Sequence, residues 1–154
     1  MKILIHATLY PESENEKRAN TTMFAHYYAA EWVKQGHEAL VLHHKTAFPR
    51  FMERVGRAIS KNGKIKIISE YLNGYGEDGS REFIRDGVRI IRLRTLKILP
   101  RLLHSRRFIK KRADEAAKIL TDKNFKPDIT FCDFVSPGLF VALEIKKQTT
   151  SGLL

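Results

Sequence analysis

Apolar residues fall along the chain in short strand-sized runs, separated by stripes at helical spacing. Residues 2–8 are a compact Ile- and Leu-rich run and read as a buried parallel strand. After a polar stretch around Pro11, Met23, Tyr27, Ala30 and Val33 recur at helical intervals, predicting a helix over 21–35 capped by Asn20 or Thr21. Gly36 sits where that helix must turn out, and residues 38–43 form a second apolar run. Strand, helix, glycine and strand within this length predict a βαβ unit with a right-handed crossover.

The pattern continues in the same style. Phe48, Phe51, Met52, Val55 and Ile59 predict a second helix over 48–61, with a short strand at 65–69 and a glycine-bearing loop over 71–80. Asp86-Gly87 between two apolar stretches predicts a tight hairpin turn, because its residues tolerate positive φ. Val88, Ile90 or Ile91, and Leu93 mark the sheet strand that follows, over 88–94. Ile109, Ala113, Ala116, Ala117 and Leu120 are the buried stripe of a helix over 101–124. A fourth core strand is predicted at 129–134 and a helix at 137–147, opened by Pro137. The fold class is therefore α/β, a doubly wound and mainly parallel sheet with strand order third, second, first, fourth.

Composition narrows the picture. No run approaches the roughly 20 apolar residues of a spanning helix, and the first residues lack the apolar core of a signal peptide. The single cysteine, Cys132, forms no intramolecular disulfide and reads as a small buried residue. A cytoplasmic protein is the expectation. The net charge of +11 is clustered: residues 45–66 carry +6 and residues 89–112 carry +10 with no acid among them. Such clustering points to a polyanionic partner, either a membrane surface, a nucleic acid or a phosphorylated substrate.

Several short motifs occur in a specific order. Met1-Lys2-Ile3-Leu4-Ile5-His6 is followed by Tyr10-Pro11, then Gln35-Gly36-His37-Glu38-Ala39, then Asp86-Gly87-Val88-Arg89-Ile90-Ile91-Arg92-Leu93, then Lys126-Pro127-Asp128-Ile129. In this order the chain resembles the N-terminal, acceptor-side domain of family-4-type retaining glycosyltransferases, over nearly its whole length. The resemblance implies a Rossmann-like sheet forming an incomplete N-terminal half of a GT-B architecture. It implies transfer of a sugar from a nucleotide sugar to an acceptor, which can be lipid-linked. The family's donor-binding C-terminal domain, with its pair of spaced glutamates, has no counterpart here, so the expectation is a fragment inactive by itself. A second departure is the loop 14–20, which lacks the family's adjacent glycines.

Candidate residues follow from the strand ends and the charge clusters. By the resemblance, the start of the first helix faces the donor phosphates, which assigns Lys17, Arg18, Asn20, Thr21 and Thr22 to phosphate binding; free N–H groups and the helix dipole favour an anion there. The alternative is an ordinary cap beside a solvated loop. Asp133 lies at a strand's carboxyl end, where ligands of open α/β sheets bind, and is the candidate to orient or deprotonate an acceptor hydroxyl; the alternative is a loop-stabilising turn. His6 reads as a hydrogen-bonded core histidine. His43-His44 does not read as a metal site, because neighbouring strand residues point to opposite faces. No metal and no cofactor are expected; Gly-x-Gly-x-x-Gly is absent after the first strand.

The cationic residues Arg50, Arg54, Arg57, Lys61, Arg101, Arg106, Arg107, Lys110 and Lys111 are assigned to an anionic membrane surface, beside apolar Ile98, Leu99, Leu102 and Leu103. That implies a peripheral position on the inner face of the membrane. The alternative function is a basic nucleic-acid-binding α/β module. Against it, the aromatics sit in helical stripes rather than on a stacking platform.

Overall fold

The computed structural model describes residues 1–11, 23–47, 82–96 and 104–150. The helix expected over 48–61, the strand at 65–69 and the loop over 71–80 lie outside the described residues, as do Asn20 and Thr21. The elements in chain order are β1 Lys2–Ala7, α1 Phe24–Lys34, β2 Glu38–Ala47, β3 Glu82–Arg85, β4 Val88–Leu96, α2 Arg106–Asp122, β5 Ile129–Cys132 and α3 Phe140–Thr150. A single wide turn, Val135–Leu139, leads into α3.

The strands form one five-stranded, mostly parallel sheet in the order β3-β4-β2-β1-β5. Its four parallel members stand as third, second, first, fourth, as expected. β1 runs beside β2 from Lys2↔Glu38 to Ala7↔His43 and beside β5 from Ile3↔Ile129 to His6↔Cys132. β2 runs beside β4 from Leu40↔Arg89 to Ala47↔Leu96. β3 is antiparallel to β4. The expected hairpin is there: Asp86 and Gly87 take φ of 48° and 77°, the positive values a tight two-residue turn needs.

Both faces of the sheet are covered, which explains why its strands are apolar on both sides. Ile3, Ile5, Ala39, Val41, Val88 and Ile90 pack under α1. Leu4, Leu40, Leu42, Ile91 and Leu93 pack under α2 and α3. Ile90 and Ile91 are thus both core residues, one on each face. The α2 stripe is the expected one, with Ile109, Ala113, Ala116, Ala117 and Leu120 buried. Ser105 caps that helix by accepting from the Phe108 N–H at 3.3 Å, which sets its start at Arg106. Asp128 fixes the start of β5 twice: its carboxylate accepts from the Lys2 N–H at 2.7 Å, and its own N–H donates to the Lys2 carbonyl at 2.8 Å.

Three expectations need correction. In α1 the buried residues are Ala25, His26, Ala29 and Ala30, whereas Tyr27 is 44% exposed. Two alanines let the helix lie close on the sheet, so the larger ring is turned outward. Gly36 does end α1, with φ of 83°. β5 stops at Cys132, short of 134, because Asp133 turns to bond the loop after β1. Helix α3 begins at Phe140 and not at Pro137, the intervening turn being interrupted by Ser136 in an extended conformation.

Candidate functional site

The carboxyl ends of β1, β2 and β5 gather the polar residues of the interior. Even and odd positions of β1 and β2 face opposite sides, which splits this polar group in two. On the α2 and α3 side stand His6 and His44, both fully buried. Their rings stack with centroids 5.2 Å apart, and His6 Nδ1 lies 2.9 Å from His44 Nε2. Burial pushes His6 down to about 4. It holds His44 well below its ordinary value as well, with His6, His43, Arg112 and His104 adding to the effect.

Two neutral imidazoles joined in this way share one proton between facing nitrogens. If His6 Nδ1 donates, then His44 Nδ1 carries the other proton and His6 Nε2 is an acceptor; the opposite tautomer reverses both. The pair therefore always presents one donor and one acceptor at its outer nitrogens. His104 stacks on Phe108 and its Nδ1 lies 3.3 Å from Ser136 Oγ, which brings the start of α2 to the turn after β5. Gly138 meets the same place: a Cβ there would lie 3.2 Å from His6 Cβ.

On the α1 side the group is Tyr10, His26 and His43. Tyr10 and His26 are 2% and 1% exposed, so their polar atoms need partners inside the protein. The Tyr10 hydroxyl lies 2.9 Å from His26 Nδ1, and His26 Nε2 lies 2.8 Å from an Asp86 carboxylate oxygen. This three-residue chain links the loop after β1, the start of α1 and the β3–β4 turn. Asp86 is held below the usual carboxylate range, first by the His26 hydrogen bond. Burial raises the Tyr10 hydroxyl well above its ordinary value. His43, beneath Tyr10 at 6.2 Å between rings, is pushed down to about 3 by burial and then by Arg92 and Lys45.

Asp133 bridges β5 to the loop after β1. Its two carboxylate oxygens accept from the Thr8 N–H at 3.0 and 3.1 Å, and the Asp133 N–H donates to the His6 carbonyl at 3.1 Å. Burial raises its pKa, against the lowering effect of backbone donors at Thr8, Leu9 and Phe134. The carboxylate is thus a clasp on a loop, at the strand end where the sequence placed it. Cys132 is half-buried, and burial pushes its thiol up to about 11, so it is a poor nucleophile.

The other sequence-assigned residues divide sharply. Lys17, Arg18, Asn20, Thr21 and Thr22 lie outside the described residues. The described α1 starts at Phe24 behind Met23, whose side chain makes no cap hydrogen bond. Arg50, Arg54, Arg57, Lys61 and Arg101 are also outside, whereas Arg106, Arg107, Lys110 and Lys111 are all exposed on α2. The apolar stripe of that helix packs on the sheet, so its charged side faces outward, Asp114 and Asp122 beside the cations. Among the described residues no His, Cys, Asp and Glu cluster has the arrangement of a metal site. No described helix is long and apolar enough to cross a membrane.

Sequence reasoning missed the Tyr10–His26–Asp86 chain and the His6–His44 pair. Their partners are 16, 60 and 38 positions apart, and no local spacing announces them. The one available signal was the presence of histidines inside otherwise apolar stripes. The architecture these observations define is a mixed α/β sheet with helices on both faces. Comparison of the chain with protein-family models, with curated proteins and with solved structures finds no match.

Proposed function

We propose that this chain is the acceptor-side, Rossmann-like domain of a GT-B glycosyltransferase of the family-4 type, which works with a separate nucleotide-sugar-binding domain. The observation that carries the reading is the sheet order β4-β2-β1-β5. It gathers the carboxyl ends of β1, β2 and β5, with His6, His44 and Asp133, at one end of the strands, the place where open α/β folds bind ligands. The ordered motifs from Met1 to Ile129 support the same reading. Asp133 is the candidate base: it lies at the carboxyl end of β5, and burial raises its carboxyl, which makes it a stronger proton acceptor. The exposed cations Arg106, Arg107, Lys110 and Lys111 favour docking on an anionic membrane that carries the acceptor.

The test is to express the reading frame together with the sequence downstream of residue 154 and to assay transfer from radiolabelled nucleotide sugars. A second Rossmann-like domain with two spaced glutamates, and label passing to a polyprenol-linked or saccharide acceptor, is expected. Absence of such a domain, with no binding of nucleotide sugars, would overturn the reading. The membrane part is tested apart from it. Vesicles containing anionic lipid should retain the protein and release it as salt rises, and reversing Arg106 and Arg107 to Glu should weaken retention. Equal retention on neutral vesicles would exclude electrostatic docking.

A further inference from the structure

A cavity of about 270 Å³ lies at the amino ends of β2 and β4, at the opposite end of the strands from His6, His44 and Asp133. Its back wall is set by strand register. Leu40 of β2, Arg89 of β4 and Ile84 of β3 stand side by side, so their side chains share one face of the sheet. Helix α2 ends at Asp122, and Lys123 and Phe125 close the cavity from above. Gly36, after α1, forms the opposite lip; a Cβ there would meet nothing within 4 Å, so the space continues past it.

Charge around the cavity does not cancel. Lys123 Nζ donates to both carboxylate oxygens of Glu82, at 2.7 and 2.9 Å. Lys2 Nζ lies 3.7 Å from Glu38. These two pairs neutralise themselves and leave the Arg89 guanidinium. Its approach to Glu82 is 3.7 Å, too long for a hydrogen bond, and it makes none among the described residues. The helix ends nearby do not reverse the sign, because backbone donors close their last turns. The Gly36 and His37 N–H groups donate to Val33 and Trp32, and those of Asn124 and Phe125 to Thr121 and Leu120.

We infer that this cavity binds a small organic monocarboxylate with an apolar body. The Arg89 guanidinium holds the carboxylate, and the body lies against Leu40, Ile84 and Phe125. The inference is independent of the sugar-transfer reading. A cavity of roughly 150 Å³ accepts a benzene ring, so the room here suits one ring with a carboxylate attached. A guanidinium presents paired N–H donors that match the two oxygens of a carboxylate. An inorganic phosphate would bring a second charge with no second free cation to meet it, and nothing to cover the apolar wall.

The test titrates benzoate into the isotope-labelled 154-residue protein and follows the amide signals by NMR. Shifts that saturate together are expected at Gly36, Gly87, Arg89 and Phe125, with His6, His44 and Asp133 unmoved. Arg89→Gln should weaken binding at least about tenfold, as loss of a charged hydrogen-bonded contact does. Arg89→Lys should recover only part of that, since it keeps the charge and loses the fork. Arg107→Gln, on the exposed face of α2, should change nothing. Glu82→Gln works in the opposite direction. It frees Lys123 as a second cation and should tighten binding about threefold, which loss of structure would not do. Benzyl alcohol and acetate each lack one half of the ligand and should bind at least about tenfold more weakly. Shifts scattered over the surface, unchanged affinity in Arg89→Gln, weaker binding in Glu82→Gln, or phosphate, acetate or benzyl alcohol binding as well as benzoate would overturn the proposal.

Discussion

The two edges of the sheet are built on opposite principles. At the β3 edge, charge closes the sheet. Glu82 takes a salt bridge from Lys123 at 2.7 Å and a second from Arg89 at 3.7 Å, and the strand ends in Arg85 and Asp86. The strand is four residues long, antiparallel, and tied to its neighbour by a two-residue turn. At the β5 edge nothing among the described residues plays these parts. The strand is equally short, but it is parallel, uncharged and flanked by half-exposed aromatic rings. Strand propensity alone does not show the difference, because each four-residue strand holds two or more apolar residues. It follows from what the neighbouring elements bring to each.

Acid should separate the two regions most strongly. His6 lies on β1 beside β5, and burial holds it near about 4 against an ordinary value of 6.5. The difference corresponds to about 3 kcal/mol of stability. The sign is set by a depressed pKa: the unfolded chain binds the proton more readily, so this stability is complete above pH 6.5 and is lost as pH falls towards 4. His43 and His44 act in the same direction. The sole tryptophan, Trp32, touches Phe131 and so reports on the β5 side. Its fluorescence should change between pH 6 and 4, with the midpoint moved to lower pH in His6→Leu. A flat signal over that range would show that these histidines do not govern stability.

A smaller effect is expected at the β3 turn. Gly87 holds φ of 77°, and a Cβ added there would lie 2.9 Å from Val33 Cγ1. Gly87→Ala therefore meets both backbone strain and α1, and should cost about 1–3 kcal/mol in urea unfolding. A variant as stable as wild type would mean that the hairpin does not press on α1. The smallest effect belongs to the charges themselves. Glu82→Ala removes two partly exposed ion pairs and should cost less than about 1 kcal/mol. Its consequence should appear instead as new self-association at the β3 edge, detectable by light scattering. An unchanged scattering profile would show that charge is not what protects this edge.

Much of this architecture is written locally in the sequence. The parallel strands β1 and β2 carry consecutive apolar residues because both of their faces are covered. Asp86-Gly87 announces its turn because few other residue pairs accept those dihedral angles. The α2 stripe is legible because its helix packs with a regular period. In contrast, α1 is legible only in part: Met23 and Ala30 are buried as expected, but close packing on the sheet selects Ala25 and Ala29 over Tyr27. The polar interior was opaque for a different reason. Tyr10, His26 and Asp86 come together only when β1, α1 and the β3–β4 turn converge, and Asp133 becomes a clasp only when β5 is placed beside β1.

The contrast between the edges is tested most directly by amide hydrogen exchange at low and high protein concentration. Peptides covering Ile129–Cys132 should gain protection as concentration rises, and those covering Glu82–Arg85 should exchange at the same rate throughout. Protection that rises at Glu82–Arg85, or that stays constant at Ile129–Cys132, would contradict the contrast between the charged and the uncharged edge.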